Sequence, residues 1–293
     1  MTPAFFTGSL TRTGFRSGHG GLQGVQRGAT WMLLLVVLAW MQVSLAGCAA
    51  GGVAATSSTA EPVTESDEPD SRKRARLRLE LASGYFEQGQ TTVALDEIKQ
   101  SLAADPAYGP AYVLRGLVYM RLNNNVLAED SFKRALQINP RDPDALHNYG
   151  WFSCQLGRHA QAIDFFARAL TSTTYSGQAK TLMAKGICQT RMGQYQEAEE
   201  SFARSYEMDA GNPITGYNLS SLLFRRGDDA RAQFYIRRLN NSDLANAETL
   251  WLGIKVEHRI GNAVAKQQLA QQLGRRFPQS REWTSYQRGA FDE

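Results

Sequence analysis

The 293-residue chain predicts an all-α fold: a curved solenoid of about six helix-turn-helix repeats, preceded by a removable apolar leader and a flexible tether. Three observations carry that expectation. Small, aromatic and turn residues recur at 34-residue intervals from Ala75 onward. Every residue from Trp31 to Trp40 is apolar, and the run ends in small and polar residues. Residues 49–71 hold almost no large apolar side chain, although 43% of the whole chain is apolar, enough to fill a core. The expected division is 1–47 leader, 48–71 tether, 72–283 solenoid and 284–293 C-terminal tail.

The ten-residue apolar run is too short to span a bilayer, which takes about 20 residues. It suits the core of a signal peptide, with Arg27 as its positive flank. The polar, Gly-rich stretch ahead of it is long for such a leader, which points to a start codon further downstream, near Val25. Leu45-Ala46-Gly47-Cys48 places a Leu three residues before a Cys with two small residues between, and this resembles the lipobox of bacterial lipoproteins. The resemblance implies lipid on Cys48 and cleavage just before it; several acyl chains would anchor the protein durably. Ala49 stands where such lipoproteins carry Asp for inner-membrane retention, so outer-membrane sorting on the periplasmic face is implied. From Cys48 the tether, treated as a coil, would reach roughly 25–30 Å on average.

Within "AYVLRGLVYMRLNNNVLAEDSFKRALQINP", Gly116, Tyr119, Ala128, Phe132, Ala135 and Pro140 fall at spacings of 3, 9, 4, 3 and 5. These match the tetratricopeptide pattern, a 34-residue unit of two antiparallel helices. Moving back one period gives Ala82, Tyr85, Ala94, Ile98, Ser101 and Pro106; moving forward gives Gly150, Ser153, Ala162, Phe166 and Ala169. After a two-residue insertion near "TSTTYSGQ", Gly186, Gly193, Ala198 and Phe202 form a fourth copy, Gly227 and Ala232 mark a fifth, and Gly261 and Pro278 a degenerate sixth. Each hairpin has an apolar face it cannot bury alone, so the units must stack and enclose a concave face.

Charge and motifs exclude several functions. Three of the 32 basic residues and none of the 28 acids precede Cys48, so the remainder is nearly neutral and shows no basic stripe for nucleic acid. His147, His159 and His258 have no metal-ligand spacing, and neither a phosphate-binding loop nor a nucleophile with its base is present. The expectation is a non-enzyme that takes no cofactor, metal, nucleic acid or small-molecule substrate. Cys154 and Cys188 lie two positions apart in the register of neighbouring first helices. In an oxidising periplasm a disulfide between them is expected, the alternative being two buried thiols.

In tetratricopeptide proteins the inner face comes mainly from five positions of each first helix. Carried onto this chain, they give Val113, Leu117, Met120 and Arg121; His147, Trp151 and Gln155; Lys180, Met183, Ile187 and Arg191; and Tyr217, Phe224 and Arg225. Aromatic, apolar and Arg side chains together suit a protein partner, with some of them serving helix packing instead.

The lipobox, the acidic tether and about six repeats in a mature chain of about 246 residues together resemble the type IV pilus biogenesis lipoproteins. "LASGYFEQGQTTVALDEIKQSLAADP", "ALHNYGWFSCQLGR", "AETLWLGIKVEHRIGN" and "RRFPQSREW" carry the resemblance, as does Gly253, one place off the repeat register. It implies a pilotin: an outer-membrane lipoprotein that helps the pilus secretin reach the outer membrane and assemble, and so supports fibre formation and twitching motility. The partners implied are secretin subunits. The alternative is a tetratricopeptide lipoprotein scaffold of outer-membrane protein assembly or cell-wall regulation.

Overall fold

Thirteen α-helices and no strand make up the described part of the protein, a computed structural model that describes residues 67–291. Cys48, the leader and all but the last residues of the tether lie outside the described residues. The helices are α1 Asp70–Glu87, α2 Thr91–Ala104, α3 Gly109–Arg121, α4 Asn125–Ile138, α5 Pro143–Gln155, α6 His159–Ala169, α7 Gln178–Arg191, α8 Tyr195–Met208, α9 Pro213–Arg226, α10 Asp229–Asn240, α11 Ala247–Ile260, α12 Ala263–Arg276 and α13 Arg281–Gln287. Consecutive pairs from α1/α2 to α11/α12 form six hairpins, each packing on the next, with odd-numbered helices touching the next odd-numbered one. Helix α13 then packs on α11 and α12.

Local sequence explains where each hairpin turns. The residues with positive φ just after the first helix of each hairpin are Gly89, Asn123, Gly157, Gly193, Gly227 and Gly261, at the repeat spacing with the two-residue insertion between the third and fourth. A left-handed residue there stops the first helix and reverses the chain; Asn123 serves in the second repeat because Asn, among non-glycine residues, visits this conformation most readily. Side-chain caps start three of the six second helices. Asn124, Asp228 and Asn262 accept from the backbone N–H three residues on, while Asp142 and Asn212 cap α5 and α9 ahead of Pro143 and Pro213.

One pair of positions sets the packing inside every hairpin. A Cβ on Gly116 would meet the Phe132 ring 2.6 Å away, and Gly150 and Gly186 stand in the same relation to Phe166 and Phe202. The equivalent pairs are Ala82 with Ile98, Ser220 with Ile236, and Ile254 with Ala270, all buried. Volume passes between the two helices while their sum stays similar, as close-packed interiors require. This exchange also accounts for Gly253. With Ile254 filling the usual Gly position, the close approach moves one residue back, where Asn240 Nδ2 would lie 2.5 Å from an added Cβ and instead donates to Thr249 O at 3.0 Å.

The two-residue insertion is not a loose loop. Tyr175 folds back, 8% exposed, and its ring covers Gly177. Near the end of the solenoid Glu257 is fully buried and accepts from Arg237 Nε at 2.6 Å, Arg237 Nη2 at 3.1 Å and Gln233 Nε2 at 2.9 Å, tying α10 to α11. Such a desolvated carboxylate requires its cation.

Two boundaries shift. Helix α1 begins at Asp70, inside the expected tether, because Asp70 sits in its first turn after Pro69. The expected tail from 284 onward is folded through Phe291: α13 runs across the boundary, Trp283 stacks on Tyr286 with centroids 5.3 Å apart, and both pack with Leu250, Ile254 and Leu273. The aromatic side chains of this segment cover the last repeat's apolar face, which has no following hairpin to bury it.

Candidate functional site

The sequence-derived inner-face residues divide by what they touch. Val113 and His147 are buried, so they offer no surface to a partner, contrary to expectation. Val113 belongs to the aromatic core that joins the second and third repeats, with Phe132, Tyr149, Phe152 and Phe165. His147 Nδ1 lies 2.8 Å from Thr181 Oγ1, and Thr181 donates onward to Tyr175 Oη at 3.2 Å, a chain that a neutral imidazole protonated on Nδ1 would complete. Burial, with Lys180 nearby, drives the His147 pKa down to about 4.

Leu117, Met120, Trp151, Met183, Ile187, Tyr217 and Phe224 are half-buried, packed on the core with one edge outward. Arg121, Gln155, Lys180, Arg191 and Arg225 are exposed. Three of these arginines and Arg259 share one register position, which Gln155 fills in the third repeat, and the guanidinium groups bind the solenoid to itself. Arg121 donates to Phe86 O and lies 3.9 Å over the Phe86 ring; Arg259 donates to Phe224 O and lies 3.6 Å over the Phe224 ring. Each satisfies a carbonyl in the last turn of the preceding first helix and covers its aromatic side chain. Arg225 lies 3.8 Å over Tyr195, and Arg191 lies 5.7 Å over Trp151. Arg121 is thus a staple between repeats rather than a free anchor.

The structure brings Tyr217, Phe224 and Arg225 together in a recess of about 370 Å³ whose other walls include Trp251, Lys255, Glu248 and Glu282. Lys255 Nζ lies 5.7 Å from the Phe224 ring and 5.8 Å from the Trp251 ring. Burial, and then Arg259, lower the Lys255 pKa; burial, and then Glu248 and Glu282, raise that of Tyr217. Aromatic faces beside cations and carboxylates can hold an extended peptide. Trp251 and Lys255 escaped the sequence reading, although they stand 34 residues after Tyr217 and Ser221 and the same period would have found them. A larger recess of about 540 Å³ lies around Tyr195, Leu222 and Arg226, but its Glu199 is tied to Arg226 and Arg231, so less of its polar surface is open to a ligand.

Cys154 on α5 and Cys188 on α7 are paired as a disulfide, with Cα atoms 5.9 Å apart, inside the range such a bond requires. Both are buried. His159 brings a ring nitrogen within 4.8 Å of the two sulfurs. The S–S bond engages those sulfurs, so the trio is not assigned as a metal centre.

Comparison with known proteins agrees with this architecture. The tetratricopeptide repeat family matches over residues 79–143 and 141–210. The type IV pilus assembly protein PilF of Pseudomonas aeruginosa is 24% identical over 247 residues, spanning 84% of this chain and 95% of the relative. The crystal structure of PilW, described as a widely conserved type IV pilus biogenesis factor, is 30% identical with a TM-score of 0.65, covering 72% of this chain and 97% of PilW. The structure of Pseudomonas aeruginosa PilF has a TM-score of 0.70 at 23% identity, covering 75% of this chain and all of that one, and so shares the fold.

Proposed function

The chain belongs to the tetratricopeptide family of type IV pilus biogenesis proteins, and on that premise we propose that it is a non-catalytic scaffold for the pilus secretin at the outer membrane. Lipid on Cys48 holds the protein to the periplasmic face, the tether gives reach, and the inner face of the solenoid grips secretin subunits. Gathering subunits at one membrane raises their effective concentration and favours the multimeric ring. The observation that carries this reading is the near end-to-end match to two pilus proteins, PilW and PilF. The aromatic and cationic recess of the last repeats supports a protein partner.

Deletion of the gene, followed by secretin analysis on a gel that preserves multimers, tests the reading. Multimers and surface pili are expected to fall together. Unchanged multimers and pili would overturn it. A Cys48→Ala variant is expected to keep its helical content and leave the outer-membrane fraction.

A further inference from the structure

We propose that the inner face of the last two repeats is a receptor for an aromatic side chain on an extended partner segment, and that Phe291 of the chain itself occupies this receptor until the partner displaces it. The inference rests on the partner-binding function above and names what the partner must present.

Trp251 and His258 stand 34 residues after Tyr217 and Phe224, so they are the inner-face positions of the sixth repeat. The Phe291 ring stacks on His258, with centroids 4.2 Å apart and planes 28° from parallel, and sits 5.7 Å from Trp251. Lys266 Nζ lies 5.4 Å from its centroid. Specific backbone geometry delivers it there. After α13, Gly289 adopts φ +70°, Ala290 N donates to Ser285 O, and Phe291 N donates to Gly289 O, each at 3.0 Å. The chain reverses and lays the ring back on the inner face.

Phe291 packs at the edge of the cluster around Leu250 and Ile254, with Tyr286 edge-on 6.1 Å away, and is not sealed into it. His258 is exposed, Phe291 is half-buried, and α13 contributes no fully buried residue. Two aromatic faces and one cation at an accessible site bind a ring reversibly. Trp251 is also a wall of the recess that contains Tyr217, Phe224 and Lys255, so a strand lying in that recess leads directly to the place Phe291 holds. Arg225 and Lys255 lie along that path with Glu248 and Glu282, so its charge is mixed, and carboxylates beside the incoming aromatic residue would meet the two cations. The chain's own segment has the same composition, reading Ala290-Phe291-Asp292-Glu293.

A segment tethered in cis acts at an effective concentration on the order of millimolar. A free peptide that binds the vacated site with a Kd of about 100 μM is therefore held off about tenfold by the resident ring. The test uses the full chain and an N-acetylated peptide of residues 288–293, Arg-Gly-Ala-Phe-Asp-Glu, titrated by calorimetry. The Phe291→Ala protein is expected to bind it about tenfold more tightly than the unaltered protein, and a peptide with Ala in place of Phe is expected to bind neither. Adding Trp251→Ala should abolish the gain. Circular dichroism checks the fold, and Phe291→Leu, which keeps apolar bulk without a ring face, replaces Phe291→Ala if the latter loses helix. Equal affinities for the altered and unaltered proteins, or no binding at millimolar peptide by a natively helical variant, would overturn the proposal. No secretin enters this assay, so its failure leaves the secretin scaffold standing, and unchanged secretin multimers in the deletion strain would leave the peptide result standing.

Discussion

His147 gives the fold a calculable dependence on pH. The imidazole is 4% exposed, and its pKa falls from an ordinary 6.5 to about 4, first through burial and then through Lys180. A histidine whose folded pKa lies below its unfolded pKa stabilises the native state fully above the unfolded value and loses that contribution as pH falls through it. The difference of about 2.5 units corresponds to about 3 kcal/mol below pH 4, of which about 2 kcal/mol is already gone at pH 5. Other groups titrate in the same window, so the comparison is with His147→Asn, whose amide can still donate to Thr181 but does not ionise. Urea unfolding followed by circular dichroism at pH 7.5 and pH 5 should show the unaltered protein losing about 2 kcal/mol more than the variant. Equal losses would mean that His147 is solvated, and would return it to the inner face where the sequence had placed it.

Two further outcomes follow from the packing. Replacing Cys154 and Cys188 together with Ala should remove about 4 kcal/mol of stability under non-reducing conditions, as the chain-entropy relation gives for a 34-residue separation; two free thiols counted in the denatured unaltered protein would sink the pairing. Gly116→Ala should cost about 1–3 kcal/mol because its Cβ meets Phe132, whereas Gly84→Ala, with nothing within 4 Å, should be neutral or stabilising by up to about 1 kcal/mol. Adding Phe132→Ile to Gly116→Ala recreates the Ala82–Ile98 pair of the first repeat and should recover part of the loss in thermal unfolding; additive losses would refute volume exchange as the packing rule.

The repeat was legible because its causes are local and periodic. A left-handed residue ends each first helix and a small residue faces a large one, so Gly193, Gly227 and Gly261, and Gly116 with Phe132, stand out at the repeat spacing without any coordinates. The inner face was legible only in part. Period alone cannot say how deep a side chain lies, because depth depends on what the next hairpin brings against it. His147 reads like its equivalents and is buried through Thr181 of the next first helix, 34 residues away.

Sequence by itself determined the all-helical class, the hairpin boundaries to within a few residues and the kinship to pilus proteins, and it placed Cys154 and Cys188 on neighbouring first helices. Tertiary structure decided which arginines are staples, that Trp251 and Lys255 complete the recess with Tyr217 and Phe224, and that the final residues fold back until Phe291 rests on His258. The first group depends on spacing along the chain, which a sequence records. The second depends on contacts between repeats and on a non-repeating end, where no period constrains which side chain meets which.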